Sequence, residues 1–369
     1  MIFFRADGNG EIGAGHVMRC LSIALEASKC EKILFVMAGE DMVSAIPDGI
    51  STVILHTDYR DMMSELERLL ELMKRYCPSV FFLDSYFVTK NYMDTLAEVC
   101  SNIGTKLVCV SGIMNFPYRC DYLLNYNIFG ENWLQSYHDM YQKGGVKEPK
   151  YLLGTSYAPL RPEFQNLPGR TVREIAADIL ISTGGSDSEH IALQLVKEVL
   201  KRDLPYTFHF IIGAMNRDYD EIEMVAGDFD VNMSGENAEP YGRAAEHPEP
   251  QTHARIILHR DVKHMAELMQ SVDVAISAAG STLYELCATQ TPTLTYILAD
   301  NQIPGAEEFQ RRGVLDCVGD YRKDSMLVVR LVDEVVKLAK DYDRRKVTAE
   351  KMRKVVDGNG CRRILDVVT

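Results

Sequence analysis

Ile2-Phe3-Phe4-Arg5-Ala6-Asp7-Gly8-Asn9-Gly10-Glu11-Ile12-Gly13-Ala14-Gly15-His16-Val17-Met18-Arg19 decides how the rest of the chain is read. A short apolar run enters a Gly-rich turn and leaves it through the apolar spacing of an amphipathic helix. That order is the first half of a parallel crossover unit, because parallel strands are buried on both faces and read as continuous apolar runs. Glycines permit a tight turn and close backbone approach, and the helix after them offers unpaired N–H groups and a positive dipole end. A dinucleotide fingerprint would read G-x-G-x-x-G. Here Gly13-Ala14-Gly15 is followed by His16, Val17 and Met18, so the third glycine is missing and ordinary NAD binding is disfavoured.

Working outward, strand-like runs at 2–4, 32–37, 52–55, 80–83, 106–110 and 122–125 alternate with helical runs at 16–28, 61–76 and 91–103. This is the pattern of parallel strands joined by crossover helices. Around 151–168 the texture turns irregular, with Pro159, Pro162 and Pro168 spaced along it, and an interdomain linker is expected there. The alternation then restarts, with strands expected at 178–181, 206–212, 255–258, 274–277 and 293–297 and helices at 190–202, 262–270, 281–289, 306–312 and 325–342. The expected fold is α/β, two Rossmann-like domains facing a cleft: an N-terminal domain at 1–155 carrying the Gly-rich loop, a linker at 156–175 and a C-terminal domain at 176–369. Segment 227–254 breaks the pattern. It is polar, has no periodic apolar face, and reads as a long surface loop, a partly disordered insertion or a lid.

A length of 369 residues exceeds what one hydrophobic core usually serves. Hydrophobic residues at 46% and charged residues at 25% are those of an ordinary globular protein. No apolar run approaches the roughly 20 residues that cross a bilayer, and no signal-peptide pattern is present, so a cytoplasmic location without a membrane span is expected. The nine cysteines, among them Cys20, Cys77, Cys109, Cys287 and Cys317, show no C-x-x-C spacing, which argues against a zinc site or a disulfide framework. A net charge of -13 argues against a nucleic-acid partner. An anionic ligand must then be met locally, by helix N-termini and a few arginines.

Three constellations carry chemistry. His16 stands at the mouth of the first turn with Arg19 one helical turn later on the same face. Histidine suits general-base work, and a nearby acid such as Asp7 would orient it; plain helix capping is the structural alternative. The second constellation is Ile181-Ser182-Thr183-Gly184-Gly185-Ser186-Asp187, which suits a phosphate or a sugar, or equally a turn capped by Ser186 or Asp187. The third is Ile276-Ser277-Ala278-Ala279-Gly280-Ser281-Thr282-Leu283-Tyr284-Glu285, followed after the next strand by Ala299-Asp300-Asn301-Gln302. Gly280, Ser281 and Thr282 place backbone and hydroxyl donors at a helix start, where a diphosphate is stabilised by charge-assisted hydrogen bonds, and Glu285 lies within reach of ribose hydroxyls. The alternative is a Ser281 cap with Glu285 as a first-turn acid. Asp84 and Tyr86 follow a strand end and suit a sugar pocket, with Asp84 equally explained as a turn acid. Arg161 suits a phosphate or an ion pair. No Asp/His cluster suited to Mg²⁺ appears, so neither metal nor cofactor is expected.

In order along nearly the whole chain, these stretches resemble the UDP-sugar hydrolases of pseudaminic acid biosynthesis (the PseG/SpsG type). The resemblance is carried by Phe4-Arg5-Ala6-Asp7 through Gly15-His16-Val17-Met18-Arg19, by Leu83-Asp84-Ser85-Tyr86, and by Leu153-Gly154-Thr155-Ser156-Tyr157-Ala158-Pro159-Leu160-Arg161-Pro162-Glu163-Phe164. Gly184-Gly185-Ser186-Asp187, Gly280-Ser281-Thr282 with Glu285, and Asn301-Gln302 complete it. Ala279 stands where that family commonly shows another glycine. The resemblance implies a two-domain GT-B fold of the kind found in MurG-type glycosyltransferases. It implies UDP-2,4-diacetamido-2,4,6-trideoxy-β-L-altropyranose as substrate, with water replacing UDP at the anomeric carbon with inversion and His16 as base. It also implies UDP held by Gly185, Ser186, Leu258, Gly280, Ser281, Thr282 and Glu285, and the sugar by Asp7, Gly13, Gly15, Arg19, Asp84, Tyr86, Arg161, Asn301 and Gln302. A GT-B glycosyltransferase with a UDP-sugar donor, and a non-catalytic UDP-binding protein of the same pathway, are the alternatives.

Overall fold

β1 (Ile2–Ala6) is buried at all five positions and runs at the centre of a parallel sheet. The computed structural model describes residues 1–213, 215–227 and 253–369, and the backbone of 231–233. Beside β1 lie β2 (Ile33–Met37) and β3 (Ser51–Ile54) on one side, and β4 (Val80–Asp84), β5 (Lys106–Val110), β6 (Tyr122–Asn125) and β7 (Lys150–Leu153) on the other, in the order β3-β2-β1-β4-β5-β6-β7. Phe4 stacks on its register partners Phe35 and Phe82 at centroid distances of 6.0 and 4.7 Å, an aromatic ladder across three strands. Such pairs add about 0.5–1.5 kcal/mol each beyond area burial and help pin the register. The crossovers carry α1 (Gly15–Ala27), α2 (Leu66–Tyr76), α3 (Lys90–Ile103) and α4 (Leu134–Gly144).

The second sheet repeats the plan. β8 (Asp178–Ser182) is central, and the order is β10-β11-β9-β8-β12-β13-β14, all parallel. Its strands are β9 (Thr207–Ile212), β10 (Val231–Met233), β11 (Arg255–Arg260), β12 (Val274–Ala278), β13 (Thr293–Ile297) and β14 (Asp316–Asp320). The helices are α5 (Ile191–Leu200), α6 (Tyr219–Ala226), α7 (Met265–Ser271), α8 (Thr282–Ala288), α9 (Ile303–Arg311), α10 (Leu327–Lys340) and α11 (Tyr342–Met352). The last helix, α12 (Gly360–Val368), follows them.

The chain divides into two units, Met1–Pro162 with Gly358–Thr369, and Glu163–Asp357. β7, absent from the expected strands, pairs with β6 at the end of the expected N-terminal domain; as a half-buried edge strand it lacks the continuous apolar run of a central one. One expectation is corrected. α12 belongs to the first unit rather than closing the second, because its buried face, Cys361, Ile364 and Val368, packs beside α1. Of segment 227–254, Gly227, β10, His253 and Ala254 are described, and the remainder of the expected loop or lid lies outside the described residues. Among the described residues no helix is long and apolar enough to cross a membrane.

Each sheet has one topological switch point. In the first unit the chain runs outward from β1 to β3 and returns to β4 on the other side of β1. In the second it runs outward from β8 through β9 to the edge strand β10, comes back to β11 between those two, and then returns to β12 on the other side of β8. Loops leaving the carboxyl ends of the two strands at such a point diverge, and the crevice they leave is where ligands bind in open α/β sheets.

Candidate active site

His16, at the start of α1, and Asp84, at the end of β4, flank the first switch point. The parallel register pairs Ala6 with Asp84, so the carboxylate at the end of β4 lies beside the strand that feeds the Gly-rich loop. That loop braces itself: Gly13 bridges back to Asn9, whose Oδ1 accepts from the backbone N–H groups of Glu11 and Ile12 at 2.9 and 3.1 Å. α1 then starts at Gly15 with no side-chain cap. His16 is its second residue, and its ring is turned to Asp84, so the capping alternative does not hold.

His16 Nδ1 lies 2.6 Å from Asp84 Oδ1. Arg19 clasps the same carboxylate, Nε to Oδ2 and Nη2 to Oδ1, the latter at 2.6 Å. Burial pushes the Asp84 carboxyl up, but Arg19 and then His16 outweigh it and hold it at about 2. An ionised carboxylate only accepts and a guanidinium only donates, so both His16 Nδ1–H and Arg19 Nη2–H converge on Oδ1. Nη2 and Nδ1 accordingly sit 2.7 Å apart as two donors to one oxygen. With the proton on Nδ1, the lone pair of neutral His16 is on Nε2, which makes no hydrogen bond to any described residue.

The His16 residue is only 2% exposed, yet its surroundings are polar on one side. Tyr86 packs edge-on against the ring at 4.3 Å and is itself 44% exposed. Tyr126 lies under the guanidinium, with Arg19 Nη1 3.5 Å from its hydroxyl. Cys20 donates its thiol to Asp84 Oδ2 at 3.7 Å, and burial together with that carboxylate pushes the thiol well up, so it stays protonated.

Asp7 is not the acid that orients His16. Its Oδ1 accepts the Ala38 backbone N–H at 2.7 Å and its Oδ2 accepts from Arg5. Arg5, fully buried within β1, also donates through Nε to Glu65 Oε1 at 2.8 Å, and Tyr92 donates to the same oxygen at 2.8 Å. This buried Arg5–Glu65–Asp7–Tyr92 network lies behind the Gly-rich loop and went unforeseen. An arginine in mid-strand among five buried residues was the available signal, because a buried guanidinium demands a carboxylate partner.

At the second switch point the loop after β8 carries Gly184, Gly185 and Ser186, and the loop after β12 carries Ala279, Gly280 and Ser281. Asp187 does the structural work foreseen as the alternative: its carboxylate accepts the N–H groups of Ile191 and Ala192 at 3.0 and 2.9 Å and so caps α5. Burial nevertheless pushes its carboxyl up to about 6, against those donors. Ser186 is left half-exposed. In the third constellation the capping alternative fails, since Ser281 makes no cap hydrogen bond to α8. Ser281 is exposed, Thr282 and Glu285 are half-buried, and a Cβ added to Gly280 would meet nothing within 4 Å.

Two further residues have structural partners in the second unit. Leu258, expected against a nucleotide, is 3% exposed in the core, with its strand paired on both sides by β10 and β9. Gln302 spends its Oε1 on the Leu298 backbone N–H at 2.8 Å, bracing the turn after β13, while Asn301 beside it is exposed. Arg161 is half-buried, just before the chain enters the second unit.

No family profile matches the chain. In fold it is similar to MurG of Acinetobacter baumannii, with a TM-score of 0.61 at 12% identity over 100% of this chain and 98% of that one. It is likewise similar to CalG4, the calicheamicin glycosyltransferase, with a TM-score of 0.56 at 17% identity over 100% and 97%. The class so defined is the two-domain α/β fold of GT-B glycosyltransferases. In sequence, the chain is 25% identical over 201 residues to the UDP-2,4-diacetamido-2,4,6-trideoxy-β-L-altropyranose hydrolase of Campylobacter jejuni, covering 54% of this chain and 66% of that protein. It is 29% identical over 192 residues to the pseudaminic acid cytidylyltransferase and UDP-2,4-diacetamido-2,4,6-trideoxy-β-L-altropyranose hydrolase of Helicobacter pylori, covering 52% and 29%. The uncharacterized protein MJ1062 of Methanocaldococcus jannaschii matches at 24% identity over 325 residues, 86% of this chain and 57% of that protein. The chain thus spans less than two thirds of the length of each of these relatives.

Proposed function

We propose that the chain is a UDP-sugar hydrolase in which His16 is the general base. The observation that carries this reading is the pairing of His16 Nδ1 with an ionised Asp84, which leaves Nε2 basic and unengaged. Water attacks the anomeric carbon as Nε2 takes its proton, the bond from that carbon to the diphosphate oxygen breaks, and UDP departs with the electron pair. The products are UDP and the reducing sugar with its anomeric configuration inverted. Gly280, Ser281 and Thr282, with Gly185 and Ser186, hold the departing diphosphate through backbone and hydroxyl donors, so that charge developing on the leaving group is met without reorganisation. Tyr86, Asn301 and Arg161 contact the sugar or its phosphate. The names of the Campylobacter and Helicobacter relatives support a 2,4-diacetamido-2,4,6-trideoxy sugar as the hexose.

The test is UDP release from UDP-2,4-diacetamido-2,4,6-trideoxy-β-L-altropyranose in ¹⁸O-water, with the anomeric proton followed by NMR. Label at the anomeric oxygen with inversion is expected. His16→Asn should slow turnover by roughly 10² to 10⁴-fold with UDP affinity little changed. UDP release that requires a second acceptor would make the chain a transferase instead, and turnover near wild type in His16→Asn would remove the base from the mechanism.

A further inference from the structure

Arg19 takes no proton and, in this geometry, has little left to offer a substrate. Its Nε and Nη2 are spent on Asp84, its Nη1 faces the Tyr126 hydroxyl at 3.5 Å, and its side chain is only 14% exposed. The sequence suggested a substrate contact. We infer that Arg19 is instead a positioning residue: by clasping both oxygens of Asp84 and balancing its charge, it fixes the carboxylate that orients a neutral His16. This role rests on the general-base reading of His16.

Charge accounting around the carboxylate shows why the residue is needed. The titratable groups facing Asp84 are His16, Arg19 and Cys20 from α1, Tyr86 from its own loop, Tyr126 from the loop after β6, and Tyr118. Burial keeps the Cys20 thiol and the Tyr118 and Tyr126 hydroxyls protonated, which leaves Arg19 as the permanent counter-ion of a buried anion. A buried carboxylate stripped of that partner would keep a proton in the Asp84–His16 pair to higher pH, and a pair sharing a proton has lost its base. The fork also sets geometry. The terminal torsion of an aspartate is broad, and only a two-point clasp fixes which oxygen faces Nδ1. A lysine would restore the charge but not the clasp.

Arg19→Ala and Arg19→Lys in the full chain test this. For Arg19→Ala the expectation is a fall in kcat of about 10²-fold with KM within about threefold, and an acid limb of kcat/KM moved up by about one pH unit. Guanidinium added at millimolar concentration should recover part of the loss. Arg19→Lys should keep the acid limb near wild type while kcat stays low. A second measurement is independent of the reaction: ¹⁵N-edited spectra of the His16 ring should show a single Nδ1–H tautomer in the wild type and a mixture or the protonated ring in Arg19→Ala at the same pH. A tenfold or larger rise in KM with kcat, pH limb and ring tautomer unchanged would overturn the inference and return Arg19 to substrate binding. Absence of UDP release by the wild type would instead refute the hydrolase reading, and the tautomer would still report on Arg19.

Discussion

Replacing Asp84 with Asn keeps the shape of the side chain and removes the charge that organises the site. An amide has one acceptor oxygen and one donor nitrogen where the carboxylate has two acceptors. If the oxygen stays with Arg19, the amide N–H₂ faces His16 Nδ1 and drives the ring to the Nε2–H tautomer, whose lone pair points at Asn instead of at water. Losing tautomer control in a buried histidine–carboxylate pair costs about 10³ to 10⁴-fold in kcat, or ~4–5 kcal/mol of transition-state stabilisation. UDP affinity, read by calorimetry, should not change. Stability should. The Asp84 carboxyl sits at about 2 where 3.8 is ordinary, worth about 2 kcal/mol of folding free energy. Because this carboxyl is depressed in the fold, its contribution is complete above pH 3.8 and is lost as the pH falls through about 2. Denaturant midpoints of wild type and Asp84→Asn should therefore differ at neutral pH and converge between pH 4 and 2. A folded Asp84→Asn enzyme within about fivefold of wild-type kcat would refute the tautomer argument.

Three other outcomes follow from the second unit. Gly280→Ala adds a methyl group into open space, so denaturation should move by no more than about 0.5 kcal/mol while calorimetric UDP affinity falls. Gly213→Ala is the converse, because its Cβ would lie 2.2 Å from the Gly185 carbonyl oxygen; the loop after β8 must shift, at a cost of about 1–3 kcal/mol of stability. Burial lifts Asp187 to about 6, so the folded state holds its proton more tightly than the unfolded one and this group's contribution to stability declines as pH rises from about 4 to 6. Asp187→Asn should gain on wild type across that interval in pH-resolved denaturation, and a constant difference between the two would contradict the assignment.

The central strands were legible because they are buried on both faces. Ile2–Ala6, Val274–Ala278 and Thr293–Ile297 are apolar runs with few interruptions, and they are central in their sheets. Two edge strands were not legible: Asp316–Asp320 has an acid at each end and a glycine inside, and Lys150–Leu153 is half-buried, so neither shows a pattern above its surroundings. His16 was found because a histidine after a Gly-rich turn is visible in one window of sequence. Its partner was not, because Asp84 lies 68 positions away, and the nearer Asp7 answered the same chemical need on paper. What brings the true pair together is strand order, β4 returning to the side of β1, and the register of Ala6 with Asp84. The carboxylate that Arg19 clasps is hidden from a local window of sequence for the same reason.

That α12 packs beside α1 has a temporal side. The stretch 358–369 belongs with residues 1–162, so the unit that bears His16 is interrupted in the chain by a complete second sheet. During synthesis the second unit has all its strands outside the ribosome before the first has received its last helix. The helix that bears His16 waits longest for its neighbour, and a nascent chain stalled short of Gly358 would hold the Gly-rich loops of the second unit on a finished scaffold while His16 still sat on an open one.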